Sequence, residues 1–261
     1  LSTQYQYNTD WQADNVSPAR VAAAEAAAAA AIRGVFFAGG YSNANLDVIE
    51  YITIANTGNA TDFGNLVAAS LGGASVSSAT RGVFIGGYTS GYVNTIQYIT
   101  IANTGNTTDF GDVVAASYAN SGFCSSTRGV NVGNQTSGGV TNRIDYITIA
   151  STGNSTDFGD LTVARVHGGA LGNSTRGLMG GGSPSSGISN VFGNLAETKS
   201  TNAGVSSSIR GVFGGGQNAS AKLNVMEYVT IASTGNSTDF GDLSGAHRLL
   251  GGTSNGHGGI A

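Results

Sequence analysis

Three short blocks recur along this chain in fixed order, and a chain built that way has to stack copies of one small unit. Arg-Gly followed by apolar residues occurs at Arg33, Arg81, Arg128, Arg176 and Arg210, at spacings of 48, 47, 48 and 34 residues. Tyr-[Ile/Val]-Thr-Ile-Ala follows at Tyr51, Tyr98, Tyr146 and Tyr228, and Thr-Asp-Phe-Gly at Thr61, Thr108, Thr156 and Thr238. The fourth unit keeps its Arg-Gly block, lacks the other two markers, and is 14 residues shorter than the full spacing of 48.

Each full unit reads as four short β segments. In the second they are 74–80, 82–87, 94–102 and 108–113. The second segment, Gly82-Val83-Phe84-Ile85-Gly86-Gly87, has no polar side chain, as a strand covered on both faces would. The third places Ile96, Tyr98, Thr100 and Ala102 on one face and Gln97, Ile99 and Ile101 on the other, so both faces are to be covered. Between the third and fourth segments, Asn/Ser-Thr-Gly-Asn supplies residues that tolerate positive φ, the chemistry of a hairpin turn.

A small four-stranded sheet that must be covered on both sides, repeated every 40 to 50 residues, is accommodated by stacking the sheets around an axis. The expected fold is therefore all-β, a single β-propeller over residues 1–261 with four-stranded blades. Its units run approximately 33–80, 81–127, 128–175, 176–209, which is degenerate with Ile188 to Phe192 as its third strand, and 210–256. Residues 1–32 and 257–261 form a composite sixth blade that joins the two ends and removes an exposed sheet edge. Five and seven blades are the alternatives. The alanine-rich stretch 22–31 has helical propensity but falls at a first-strand position, and a strand or irregular segment is expected there.

The 42 glycines and 10% charged residues would suit a low-complexity chain, yet 40% of residues are hydrophobic, enough to bury a core. A formal net charge of −4 with only two lysines, Lys199 and Lys222, argues against nucleic acid, whose binding draws on clustered cations. The longest apolar stretch, 21–32, is too short to span a bilayer, so no membrane insertion is expected. A lone Cys124 permits neither an internal disulfide nor a cysteine zinc site.

The pattern resembles kelch repeats: a hydrophobic strand ending in Gly-Gly (Gly39-Gly40, Gly86-Gly87), a Tyr in the next strand (Tyr51, Tyr98) and an aromatic in the last (Phe63, Phe110). It departs from them in using Phe where kelch units usually have Trp, with Trp11 the exception, and in Gly133-Asn134 in the third unit. The near-identical Tyr-Ile-Thr-Ile-Ala and Thr-Asp-Phe-Gly blocks also look like repeat propellers of tailed-bacteriophage tail-fibre or virion proteins. That resemblance implies a structural or adhesive module, virion or extracellular in location and part of a larger assembly with other virion or fibre subunits.

The titratable residues assemble no catalytic constellation. Asp62, Asp109, Asp157 and Asp239 recur at one repeat position and are read as turn-closing residues; the pairs they form with Asp112, Asp160 and Asp242 do not have the spacing of a calcium loop. Arg33, Arg81, Arg128, Arg176 and Arg210 share one structural job, such as bonding carbonyls or an Asp of a neighbouring unit. Glu50, Gln97, Asp145 and Glu227 occupy one strand face and no acid/base pair. His167 and His247 are placed at corresponding positions in two units. No catalytic residue, metal or cofactor is nominated.

The leading functional expectation is a non-enzymatic tail-fibre or appendage component serving assembly or attachment to a host surface. The alternatives are a secreted, lectin-like carbohydrate-binding propeller and a structural subunit of an extracellular fibre. Tyr41, Tyr88 and Tyr92, in the loop after the Gly-Gly strand, are the candidate contacts to cell-surface glycans. Sequons at Asn15, Asn59, Asn106, Asn134, Asn154, Asn173, Asn218 and Asn236 would carry sugars in a secreted eukaryotic chain.

Overall fold

A computed structural model describes residues 33–40, 44–53, 57–183 and 192–248. The expected composite unit, Trp11, Tyr41 and the alanine-rich stretch 22–31 lie outside them. Every regular element among the described residues is a β-strand, and neighbouring strands pair antiparallel in chain order.

The first sheet holds β1 (Arg33–Ala38), β2 (Leu46–Thr53) and β3 (Thr61–Ser70). The second is a four-stranded meander of β4 (Ala74–Ser77), β5 (Arg81–Ile85), β6 (Val93–Thr100) and β7 (Thr108–Ser117). In the third, β8 (Ser121–Cys124) and β9 (Arg128–Val132) are followed by a small hairpin, β10 (Gln135–Thr136) and β11 (Gly139–Val140). It then resumes with β12 (Arg143–Thr148) and β13 (Thr156–Asp160). The fourth has, among the described residues, β14 (Gly169–Gly172) and β15 (Gly177–Gly180). The fifth restores all four strands as β16 (Ala203–Ser206), β17 (Arg210–Gly214), β18 (Leu223–Thr230) and β19 (Thr238–His247).

The marker phenylalanine is a bulge. Gln97 pairs with Asp109 and Ile96 with Gly111, so Phe110 has no opposite number; the same skip isolates Phe63, Phe158 and Phe240. An extra residue bends its strand, and the following glycine takes a φ of 146°, 143°, 132° or 122° at Gly64, Gly111, Gly159 and Gly241. The bulge puts each Phe edge-on to the Tyr of its own third strand, with centroids 5.8 to 6.1 Å apart. On the open face of that Tyr sits the repeat arginine: Arg81, Arg128 and Arg210 lie 4.2, 4.3 and 4.3 Å from the ring centres of Tyr98, Tyr146 and Tyr228. Arg81 also donates through Nη1 to the carbonyl of Ile149, and Arg176 to that of Ile231, each in the following unit.

Successive sheets share cores. Ile49, Phe63 and Leu66 of the first pack with Ile99 of the second; Val83, Ile85, Ile96 and Phe110 of the second pack with Ile147 and Ile149 around the third; Leu171 packs with Phe213 and Val229 of the fifth. The first strands lie beside one another, β4 against β8, β8 against β14 and β14 against β16. Ser121 Oγ donates to Gly168 O and Ser206 Oγ to Gly172 O across these seams.

At the opposite edge, the Thr-Gly-Asn turns of the second, third and fifth units grip the bulge of the unit before them. Gly105 N donates to Phe63 O and Thr107 N to Asn65 O, while Asn106 Oδ1 accepts from Asn65 N. The set repeats as Gly153 with Phe110, Ser155 with Asp112 and Asn154 with Asp112 N. A third copy is made by Gly235 with Phe192, Ser237 with Asn194 and Asn236 with Asn194 N. The approach excludes any side chain at the bulge glycine: a Cβ on Gly64, Gly111 or Gly193 would fall 2.3, 2.5 or 1.8 Å from the carbonyl oxygen of Gly105, Gly153 or Gly235.

The third copy identifies what the fourth unit has lost. Phe192-Gly193-Asn194 takes the place of the Phe-Gly-Asp/Asn bulge, so Phe192 belongs to the fourth segment and not to a third strand; 188–191 lie outside the described residues. Arg176 sits 5.8 Å from the Phe192 ring, matching Arg81 over Phe110 at 5.9 Å. The shortened stretch is thus the third strand with its Thr-Gly-Asn turn, and the unit before it loses its cover: Phe63 and Phe110 are 2% and 3% exposed, Phe158 54%.

Gly111→Ala is expected to lower stability by roughly 2–4 kcal/mol, from a strained φ and a clash with the next turn. Gly91→Ala, in open space, is expected to stay within about 0.5 kcal/mol. Urea unfolding of the two variants measures the contrast.

Candidate functional site

The Gly-Gly pair that ends each second strand makes a sharp reversal. Gly86 and Gly87 have φ of 63° and 124°, Gly39 and Gly40 67° and 117°, Gly215 and Gly216 60° and 99°. Just before each first strand a second reversal occurs, with Gly72, Ala119, His167 and Thr201 all between 57° and 68°. The residue preceding that position bridges the loop after the Gly-Gly pair: Leu71 with Tyr88, Tyr118 with Gln135, Val166 with Ser183, Ser200 with Gln217.

These two reversals build an aromatic ledge where the second and third units adjoin. Tyr88 and Tyr92 face each other across a short bridge at 5.7 Å, Tyr118 lies 5.9 Å from Tyr88 and 6.5 Å from Tyr92, and His167 lies 6.1 Å from Tyr118. A Cβ on Gly72 would lie 2.3 Å from the Tyr118 ring, so the glycine there is needed for the ring to lie flat. Tyr88 is 37% exposed and the other three are half-buried. Amides frame the rings: Gln135 Nε2 donates to Tyr92 Oη at 3.2 Å, and Asn45 Nδ2 to the carbonyls of Tyr88 and Thr89. Aromatic faces with a few fixed amides suit a flat, hydroxyl-rich ligand that offers C–H surfaces to rings and hydroxyls to donors.

Of the candidate contacts, Tyr88 and Tyr92 come together here and Tyr41 lies outside the described residues. Tyr118, Gln135 and His167 were missed; the signal for Tyr118 is that it occupies the repeat position of Leu71, beside the loop that carries Tyr88. His167 and His247 do not correspond. His247 matches Ser70, Ser117, Arg165 and Lys199, each seven residues after the bulge phenylalanine, and His167 stands two residues further on. Burial pushes the His167 imidazole below the usual histidine range.

The recurring polar position on the third strand is also clarified. Gln97 Oε1 accepts from Val67 N at 2.8 Å and Thr107 Oγ1 at 2.6 Å, fastening a third strand to the preceding unit. Glu227 Oε2 accepts from the equivalent Ala196 N and Ser237 Oγ, and its other oxygen pairs with Lys199, both side chains fully buried. Asp145 is too short to reach across. It pairs with Arg143 Nε at 3.0 Å, Ser155 Oγ takes over the bond from Val114 N, and burial raises the Asp145 carboxyl despite Arg143. Asp157 and Asp239 accept from Gly159 N and Gly241 N, closing the bulge locally.

In the fourth unit, a cavity of about 340 Å³ opens between β15 and the 192–199 segment. Leu178, Met179, Phe192 and Phe213 line it with Arg165 and Lys199. Arg165 donates to Gly181 O, and burial holds its guanidinium below its usual range. Among the described residues no group of three or more His, Cys, Asp or Glu could hold a metal ion, and no helix is long and apolar enough to cross a membrane.

No protein-family model matches the chain, and no curated protein matches it.

Lys199→Ser strands the buried Glu227 carboxylate and is expected to cost about 3–5 kcal/mol. Adding Glu227→Gln recreates the Ser70–Gln97 arrangement of the second unit and recovers most of that loss in urea unfolding. For His167, the folded-state pKa lies below the unfolded value of about 6.5, so the unfolded chain binds the proton more readily. Stability is therefore flat above that pH and falls as pH drops below it towards the folded-state value. His167→Asn, which tolerates the left-handed φ, removes this acid-side loss when unfolding midpoints at pH 7.5 and 5.5 are compared.

Proposed function

We propose that this chain is a non-enzymatic propeller module of a virion tail fibre or related extracellular appendage, and that its aromatic ledge contacts glycans on a cell surface. The observation that carries the reading is the convergence of Tyr88, Tyr92, Tyr118 and His167 from two successive units, framed by Gln135 and Asn45. The radial arrangement is supported by the first strands of the second to fifth sheets, which lie side by side in succession.

The other reading the ledge favours is a secreted, lectin-like propeller. The two share the ligand class and differ in what surrounds the module, so the intact mass of the protein in its native source separates them. Polypeptide beyond 26.0 kDa favours the appendage, and a free-standing or glycosylated chain of this length favours the lectin.

Saturable binding to bacterial surface oligosaccharides is expected by calorimetry or glycan array. Tyr88→Ala and Tyr92→Ala should each weaken it by roughly tenfold, about 1.4 kcal/mol, without loss of fold. Binding that survives both substitutions, or the absence of binding to any glycan, overturns the ledge assignment.

A further inference from the structure

The fourth unit's missing turn leaves a half-interface with known chemistry. In three places the chain shows what belongs on a Phe-Gly-Asp/Asn bulge: a Thr-Gly-Asn turn that donates from Gly N to the Phe carbonyl, donates from the next-but-one N–H to the Asp/Asn carbonyl, and accepts from the Asp/Asn N–H through its Asn side chain. At Phe158-Gly159-Asp160 none of these three bonds is made among the described residues. The site is open in every respect that the occupied ones are closed: Phe158 is 54% exposed, and a Cβ on Gly159 would meet nothing within 4 Å. Its bulge geometry is unchanged, with Ile144 opposite Gly159, Asp145 opposite Asp157, and φ 132° at Gly159.

The same chain carries a turn to match. Thr57-Gly58-Asn59-Ala60 has the donor–donor–acceptor sequence of the three engaged turns, and all four residues are exposed. The turns at Gly105, Gly153 and Gly235 are committed inside the chain. We infer that the vacant Phe158-Gly159-Asp160 bulge is a docking seat for the Thr57–Ala60 turn of a second copy of this chain. Seat and turn sit on different units, so the contact is heterologous. Copies add head to tail and form an open array unless the rotation closes a ring. The Phe240 bulge shares this open geometry, with Phe240 49% exposed and nothing within 4 Å of a Cβ on Gly241; the Phe158 seat is the one vacated by a loss inside the repeat. This inference is independent of the glycan reading.

Sedimentation velocity from micromolar to near-millimolar concentration tests it. Self-association of the wild-type chain is expected, abolished by Phe158→Ser or Gly159→Ala at the seat and by Asn59→Ala at the turn, with circular dichroism melting confirming that each variant is folded. Because Gly159→Ala is strained by its φ, Phe158→Ser and Asn59→Ala keep the test decisive if that variant fails to fold. Ala60→Thr restores the hydroxyl of the engaged turns and should tighten association severalfold. A seat variant mixed with a turn variant should give dimers that grow no further, since each chain keeps one competent half. A wild-type chain that stays monomeric throughout, association that is indifferent to seat and turn variants, or a mixture that fails to pair overturns the inference.

Discussion

At three junctions of this protein, three hydrogen bonds and one excluded side chain hold a unit to the next. The turn after the third strand reaches sideways, lays its glycine and asparagine against the bulge of the preceding sheet, and can do so only because that bulge ends in a glycine with no Cβ. Much else follows from the approach. It covers the bulge phenylalanine, which in turn holds its tyrosine edge-on, and the tyrosine presents its free face to the repeat arginine. The arginine then passes a hydrogen bond to the next unit's third strand. Local geometry and contact between units are one device, so neither is stable alone, as in other repeat architectures.

A chain with so few charges places them with care. The third-strand position that fastens one unit to the last is an amide in the second unit, a short acid redirected to an arginine in the third, and a long acid paired with a lysine in the fifth. The neutral version satisfies the same N–H with no buried charge. The ionic versions are net contributors only while both partners are present, because an isolated buried carboxylate is costly.

Much of the strand plan was legible from spacing: the four segments of the second unit fall on β4, β5, β6 and β7, and the alternation of the third segment matches burial of Ile96, Gln97, Ile99 and Ile101. In the fourth unit the arginine-to-arginine interval includes the shortened stretch and so hides which segment is short. From bulge to arginine the interval does not vary: eighteen residues separate Phe63 from Arg81, Phe110 from Arg128, Phe158 from Arg176 and Phe192 from Arg210. That constancy has a physical source, since this stretch contains the crossing from one sheet to the next and the first strand along the seam. The ledge was half legible. Tyr88 and Tyr92 are close in sequence, whereas Tyr118 and His167 join them only through bridges between residues of successive units, which no single-unit pattern contains.

The sameness of the interfaces bears on how such a chain can change. Where junctions use the same turn on the same bulge, exchanging one whole unit for another, or adding one, alters no such junction's chemistry, and near-identical coding blocks are where unequal recombination would cut and rejoin. Substitutions in the loops that build the ledge are uncoupled from that grammar. The scaffold can therefore be shuffled in whole units while the exposed face diverges residue by residue, a division that lets the recognition surface drift without renegotiating the fold beneath it.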